Sequence, residues 1–146
     1  MNTTFHPVTG DPSQGIPALK QASIGVSYSD CVRVDLSDHS LLFISGQIAV
    51  AEGKLVGDTM TGQARQVLEN LKTVLTRQGG SFDHIVRLRI YVARIDPESI
   101  REVHAVRAEY FKPGRFPAST LVQVAGFVRE AGLIEMEADV VLPRDR

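Results

Sequence analysis

Cys31 is the only cysteine of the chain, and there is no tryptophan. A single thiol cannot close an intrachain bridge, so the fold is not a disulfide scaffold, and a reducing setting, the cytoplasm, is expected. No run reaches the roughly 18 apolar residues that a membrane-spanning helix needs. Residues 1–19 have neither a basic start nor an apolar stretch and do not read as a secretory signal. The net charge is −1, which gives no global field to gather nucleic acid or an acidic membrane surface. His6, His39, His84 and His104 share no metal-ligand spacing. A phosphate loop, a dinucleotide fingerprint and a nucleophile elbow are all missing. Neither a metal nor a cofactor is expected.

At 146 residues the chain is long enough for one domain with a core that needs no staples. Residues 1–19, polar and rich in proline and glycine, read as an N-terminal extension, flexible or strapped to the surface. Residues 20–146 read as the domain. Cys31, Arg33 and Asp35 alternate with Val32, Val34 and Leu36, the period of a half-buried strand. Residues 41–50 are nearly continuous apolar sequence broken by Ser45-Gly46-Gln47, a central strand with a close backbone approach at Gly46.

A helix follows, capped by Asp58 or Thr59 and ended by Gly79-Gly80. Its apolar face carries Ala64, Val67, Leu68, Leu71, Val74 and Leu75. Residues 85–92 read as a strand. A second helix starts at Asp96-Pro97 and stops at Lys112-Pro113-Gly114, with Ile100, Val103, Val106 and Tyr110 on its apolar side. Residues 120–127 and 133–141 are the last two strands. The expected fold is α+β, with about six strands in a mixed sheet and two helices on one face. Two helices cannot cover both faces of such a sheet, so the other face needs a partner.

Two strands carry alternating charge. Glu135, Glu137 and Asp139 share one side of the last strand, and Arg87, Arg89 and Tyr91 share one side of the strand before the second helix. These faces either meet water or pair with each other across strands or subunits. An RNA platform on Arg87, Arg89 and Tyr91 lacks a basic patch to track a backbone. Cys31, at a strand start, reads as a buried small residue and not as a nucleophile.

Five segments, in order, resemble the reactive intermediate deaminase (Rid, YjgF or endoribonuclease L-PSP) family. Residues 25–29, Gly-Val-Ser-Tyr-Ser, are similar to its early Gly-Pro-Tyr-Ser. Residues 42–48, Leu-Phe-Ile-Ser-Gly-Gln-Ile, resemble its Ser-Gly-Gln-Ile strand, and residues 63–71 its first helix. Residues 115–122, Arg-Phe-Pro-Ala-Ser-Thr-Leu-Val, are similar to its substrate segment, and residues 134–138, Ile-Glu-Met-Glu-Ala, to its closing Ile-Glu-Ile-Glu-Ala.

The resemblance implies a chorismate-mutase-like domain assembled as a homotrimer, helices outside, with a small-molecule cleft at each subunit interface. It places Glu135 as the carboxylate that positions or activates water, Tyr28 beside it, and Ser45 and Gly46 on the pocket wall. Ser119 stands where the family's segment has the arginine that clamps a carboxylate. A hydroxyl offers one donor and no charge. Losing two charge-assisted bonds of roughly 1.5–3 kcal/mol each weakens carboxylate binding on the order of 100-fold or more. Arg115, four residues upstream, replaces that arginine only if the preceding loop folds over the cleft.

The expected function is therefore cofactor-free hydrolysis of an imine, an enamine or a related metabolite, and not standard 2-imino acid deamination. The alternative is a non-enzymatic ligand-binding or regulatory homotrimer. No nucleic acid or membrane partner is expected.

Overall fold

In the computed structural model, residues 1–9, 16–23 and 25–144 are described. The strands and helices run β1 (Asn2–Pro7), α1 (Pro17–Gln21), β2 (Ser29–Asp35), β3 (His39–Ile48), β4 (Val50–Ala51), β5 (Lys54–Leu55), α2 (Met60–Arg77), β6 (Ile85–Val92), α3 (Pro97–Tyr110), β7 (Ala118–Gln123) and β8 (Ile134–Pro143). Six strands form one sheet in the order β1-β2-β3-β8-β6-β7, and β4 pairs with β5 in a small hairpin. Every neighbouring pair in the large sheet is antiparallel except β6 and β7. That parallel pair is joined through α3, as a parallel connection requires.

The helix signals translate directly. Thr59 caps α2 by accepting from the Gly62 N–H, and Asp96 caps α3 by accepting from the Ser99 N–H, with Pro97 in the first turn. All six residues expected on the apolar face of α2 are buried, joined by Met60 and Gln63. They pack on Leu42 and Ile44 of β3 and on Met136, Ala138, Val140 and Leu142 of β8. Val103 and Val106 of α3 and Leu88, Ile90 and Val92 of β6 continue the core. Each such side chain contributes roughly 1.5–3 kcal/mol when removed from water. Both long helices cover one face and leave the other open.

Several boundaries and faces differ from the sequence reading. Part of the N-terminal extension is a sheet strand: residues 2–7 pair with β2, Phe5 opposite Val32. The part at 10–15 lies outside the described residues. A third helix, α1, is only five residues long and buries no residue. β7 begins at Ala118 and ends at Gln123, and β8 begins at Ile134 and runs on to Pro143, beyond the 133–141 expected.

On β2 the polar residues face the helices. Arg33 donates to the Gln78 carbonyl at the end of α2 (3.2 Å) and to Ser40 Oγ (2.9 Å), and its Nε meets Asp35 at 2.8 Å. A cation at a helix C-terminus answers unpaired carbonyls. Val32 and Val34 therefore point to the open face, beside Phe5 and Phe43, which are 67% and 46% exposed.

Candidate functional site

β3 and β8 are paired with one irregularity. Ile44 faces Ala138 and Gln47 faces Met136, so β3 spends three steps where β8 spends two. The extra residue falls at Ser45-Gly46, and such a bulge re-aims side chains. Ser45 Oγ donates to the Ser29 carbonyl at 2.6 Å, tying the bulge to the start of β2. The Gln47 amide donates to Asp30 Oδ1 and to the Ser45 carbonyl, both at 3.1 Å.

The bulge makes room for Glu135. A Cβ at position 46 would lie 2.1 Å from Glu135 Oε1 and 2.9 Å from its Cδ, so the carboxylate lies across the bare Cα of Gly46. Burial, and then the neighbouring charge of Glu137, raise the Glu135 carboxyl above its ordinary range. Burial, Asp30 and Glu135 likewise push up the Tyr28 phenol, which is 47% exposed. A desolvated carboxylate is a stronger base than one in water.

Tyr28, Ser45, Gly46 and Glu135 line one hollow of about 680 Å³. Its far wall is α2, through Asn70, Thr73 and Arg77, and its rim includes Thr9, which accepts from Arg77 at 2.9 Å. Asn70 donates to the carbonyls of Ile48 (2.8 Å) and Val50 (3.0 Å), fixing the chain as it leaves β3. A second hollow, of about 390 Å³, shares Ser45, Gly46 and Glu135 and adds Tyr91 and Glu137. Glu135 thus stands between two spaces.

Next to it, the open face pairs its own charges. Arg89 meets Asp139 through both terminal nitrogens (3.1 and 2.9 Å) and approaches Glu137 at 3.8 Å, while the Tyr91 hydroxyl donates to Glu137. Arg87 forms no ion pair among the described residues.

The other two expected residues lie elsewhere in the subunit. Ser119 is exposed on the edge strand β7, in register with Leu88, which in turn faces Ala138. Two strand spacings and three residues separate it from Glu135, roughly 14 Å. Its register partner Leu88 is a buried core residue, so Ser119 belongs to the helix-bearing side of the sheet. Arg115 is exposed in the turn before β7, its N–H bonded to the Lys112 carbonyl, and lines neither hollow. Among the described residues no cluster suits a metal ion.

Sequence reasoning missed Asn70, Gln47 and Arg77. Asn70 left a faint signal, since asparagine in mid-helix is unfavourable unless its side chain has work to do. It also missed Gln63, which is 1% exposed. Gln63 donates to the carbonyls of Gly57 (3.1 Å) and Ala131 (2.9 Å) and accepts from the Leu133 N–H (2.8 Å), pinning the loop that delivers β8 and Glu135.

The family described as "Endoribonuclease L-PSP" matches residues 20–142. Protein HMF1 of Saccharomyces cerevisiae is 34% identical over 139 residues, covering 94% of this chain and 95% of that one. A protein of Bos taurus named 2-iminobutanoate/2-iminopropanoate deaminase is 34% identical over 126 residues, 85% of each chain. The crystal structure of YyfA from Yersinia pestis, described as a protein of unknown function of the conserved Rid family, superposes with a TM-score of 0.73 at 27% identity, covering 95% of this chain and 98% of that one.

Proposed function

Because the chain belongs to the endoribonuclease L-PSP (Rid, YjgF) family, we propose that it forms a homotrimer with small-molecule clefts between subunits, in which Glu135 drives hydrolysis of a C=N bond. The observation that carries this reading is the Glu135 carboxylate, laid over Gly46 and set between two hollows with a raised pKa. The trimer is supported by the uncovered sheet face, where Phe5, Phe43 and the β2 valines form an apolar surface that a second copy would shield.

In the proposed reaction Glu135 takes a proton from water, and the hydroxide attacks the carbon of a protonated imine. The resulting carbinolamine receives a proton on nitrogen from Glu135. Its C–N bond then breaks as Glu135, ionised again, takes the hydroxyl proton, which releases ammonia and leaves a neutral carbonyl. An enamine enters the same path after tautomerising to the imine. No electrons are exchanged, so the chemistry asks for no redox group. Tyr28 and Ser45 orient the substrate. General-base assistance of this kind contributes typically 10²–10⁴-fold.

Ser119 separates this chain from a standard 2-imino acid deaminase, because it offers no charge to a carboxylate held next to the C=N carbon. The relative named as a deaminase suggests the reaction class, not the substrate. The test is ammonia release from imines generated in situ, some with and some without a carboxylate beside the C=N carbon. The wild type should turn over at least one imine without that carboxylate, and Glu135→Gln should lower its rate at least 100-fold. A wild type inert on every imine, with ligands that only stabilise the fold, would favour the non-enzymatic regulatory trimer. Sedimentation equilibrium on the same sample should give three subunits; a monomer would remove the interface cleft.

A further inference from the structure

Arg107 is 6% exposed, on α3. Its Nε–H finds no acceptor, and no carboxylate pairs with it among the described residues. Burial lowers its pKa and nothing nearby opposes that shift. A guanidinium does not give up its proton in a protein. A buried Nε–H left without an acceptor carries a desolvation cost that folds rarely tolerate. The other buried polar residues are answered: Gln63 by three backbone groups, Ser40 by Arg33 and Asp35, Ser99 by Asp96. On β1, His6 Nε2 is likewise a buried atom without a partner.

The helix geometry says where Arg107 sits. Glu102 and Glu109 mark the side of α3 that faces α2, through contacts with Thr61 and Arg65. At 3.6 residues per turn Arg107 is roughly 140–160° around the helix from both. It therefore lies on the flank turned away from α2. α2 packs on β3, on β8 and against α3, so a flank of α3 turned away from α2 is directed toward β6 and β7, the next strands in order.

The level along the strand follows as well. α3 runs back antiparallel to β6, and ten helical residues from Pro97 span about 15 Å, close to the length of four to five strand residues. On that spacing Arg107 would fall near the level of Leu88, whose register partner is Ser119. Ser119 is on the same side of the sheet, small and exposed. β7 has no strand beyond it, so alternate backbone groups at its outer edge are unpaired.

We propose that the seam between α3 and β7 is an anion-binding subsite, in which Arg107 holds a small carboxylate or similar oxyanion entering past Ser119. A guanidinium on a stem held in the core suits a planar carboxylate, and the short serine side chain leaves the approach open. In this chain the cationic anchor comes from the helix behind β7 and not from β7 itself. It would grip an acid group at a different place from a clamp borne at position 119. The subsite does not depend on hydrolysis at Glu135.

Pyruvate is the probe. In the full-length protein the Arg107 Nε–Hε resonance, identified by its loss in Arg107→Met, should move saturably as sodium pyruvate is added and remain still in sodium chloride of equal ionic strength. Thermal unfolding should show pyruvate stabilising the wild type and the surface variant Arg101→Ala, with the apparent affinity at least tenfold weaker in Arg107→Met. If Arg107→Met does not fold, Arg107→Lys supplies the assignment and the wild-type titration decides. A resonance that ignores pyruvate, or moves equally in chloride, overturns the subsite. So does a crystal structure of the oligomer in which a neighbouring subunit's carboxylate already occupies Arg107. The readout is binding, so failure here leaves the imine assay untouched, and an inert enzyme can still bind pyruvate through Arg107.

Discussion

Replacing Gly46 with alanine tests how the candidate site is built. The added methyl would fall 2.1 Å from Glu135 Oε1, 2.9 Å from Cδ and 3.1 Å from Cγ. Carbon and oxygen rest no closer than about 3.3 Å, so the carboxylate must retreat by about 1.2 Å. The obstructing atoms are the end of a rotatable side chain, and Glu135 can swing away. The stability cost should therefore be modest, about 0.5–1.5 kcal/mol for an altered rotamer. The site should suffer far more. A carboxylate driven from its desolvated seat loses the burial that raises its pKa, so its titration should move down toward the ordinary carboxylate value. Any rate that depends on it should fall by at least 100-fold. Carbon-13 NMR titration of the Glu135 carboxyl and urea denaturation measure the two effects. An alanine variant whose Glu135 titrates as in the wild type would refute the close approach and the role drawn from it.

Three further outcomes follow from named contacts. The folded protein holds Glu135 protonated to a higher pH than the unfolded chain does. Wild-type stability should therefore fall as pH rises from about 4.3 through the raised value. Glu135→Gln should abolish that fall and be the more stable protein at pH 7 but not at pH 3; parallel curves would contradict this. Gln63→Ala strands two carbonyls and one N–H and should cost about 2–4 kcal/mol in urea denaturation; a loss below about 1 kcal/mol would mean water replaces the side chain freely. In a double-mutant cycle Arg89→Ala and Asp139→Ala should couple by well over 1 kcal/mol if a second copy seals the open face, and by about 0.5 kcal/mol or less if that face meets water.

By itself the sequence determined what depends on local pattern. The apolar stripe of α2, a cap at Asp58 or Thr59, the cap at Asp96, the strand at residues 85–92 and the close approach at Gly46 could be read from local pattern, because helical and strand periods are fixed by the backbone; the structure decided for Thr59. Two helices for a sheet this wide already implied an open face. Tertiary structure decided what depends on partners distant in sequence. It turned the polar side of β2 inward, since Arg33 finds the end of α2, and it made a strand of residues 2–7, since β2 offered an edge. It gathered Ser45 and Gly46 of β3, Glu135 of β8 and Tyr28 from the chain just before β2, and left Ser119 and Arg115 apart, because strand order is set by long-range pairing and not by local sequence. Nor could spacing announce Arg107: a lone arginine on a helix reads as surface until tertiary packing buries its stem and leaves its Nε–H without an acceptor.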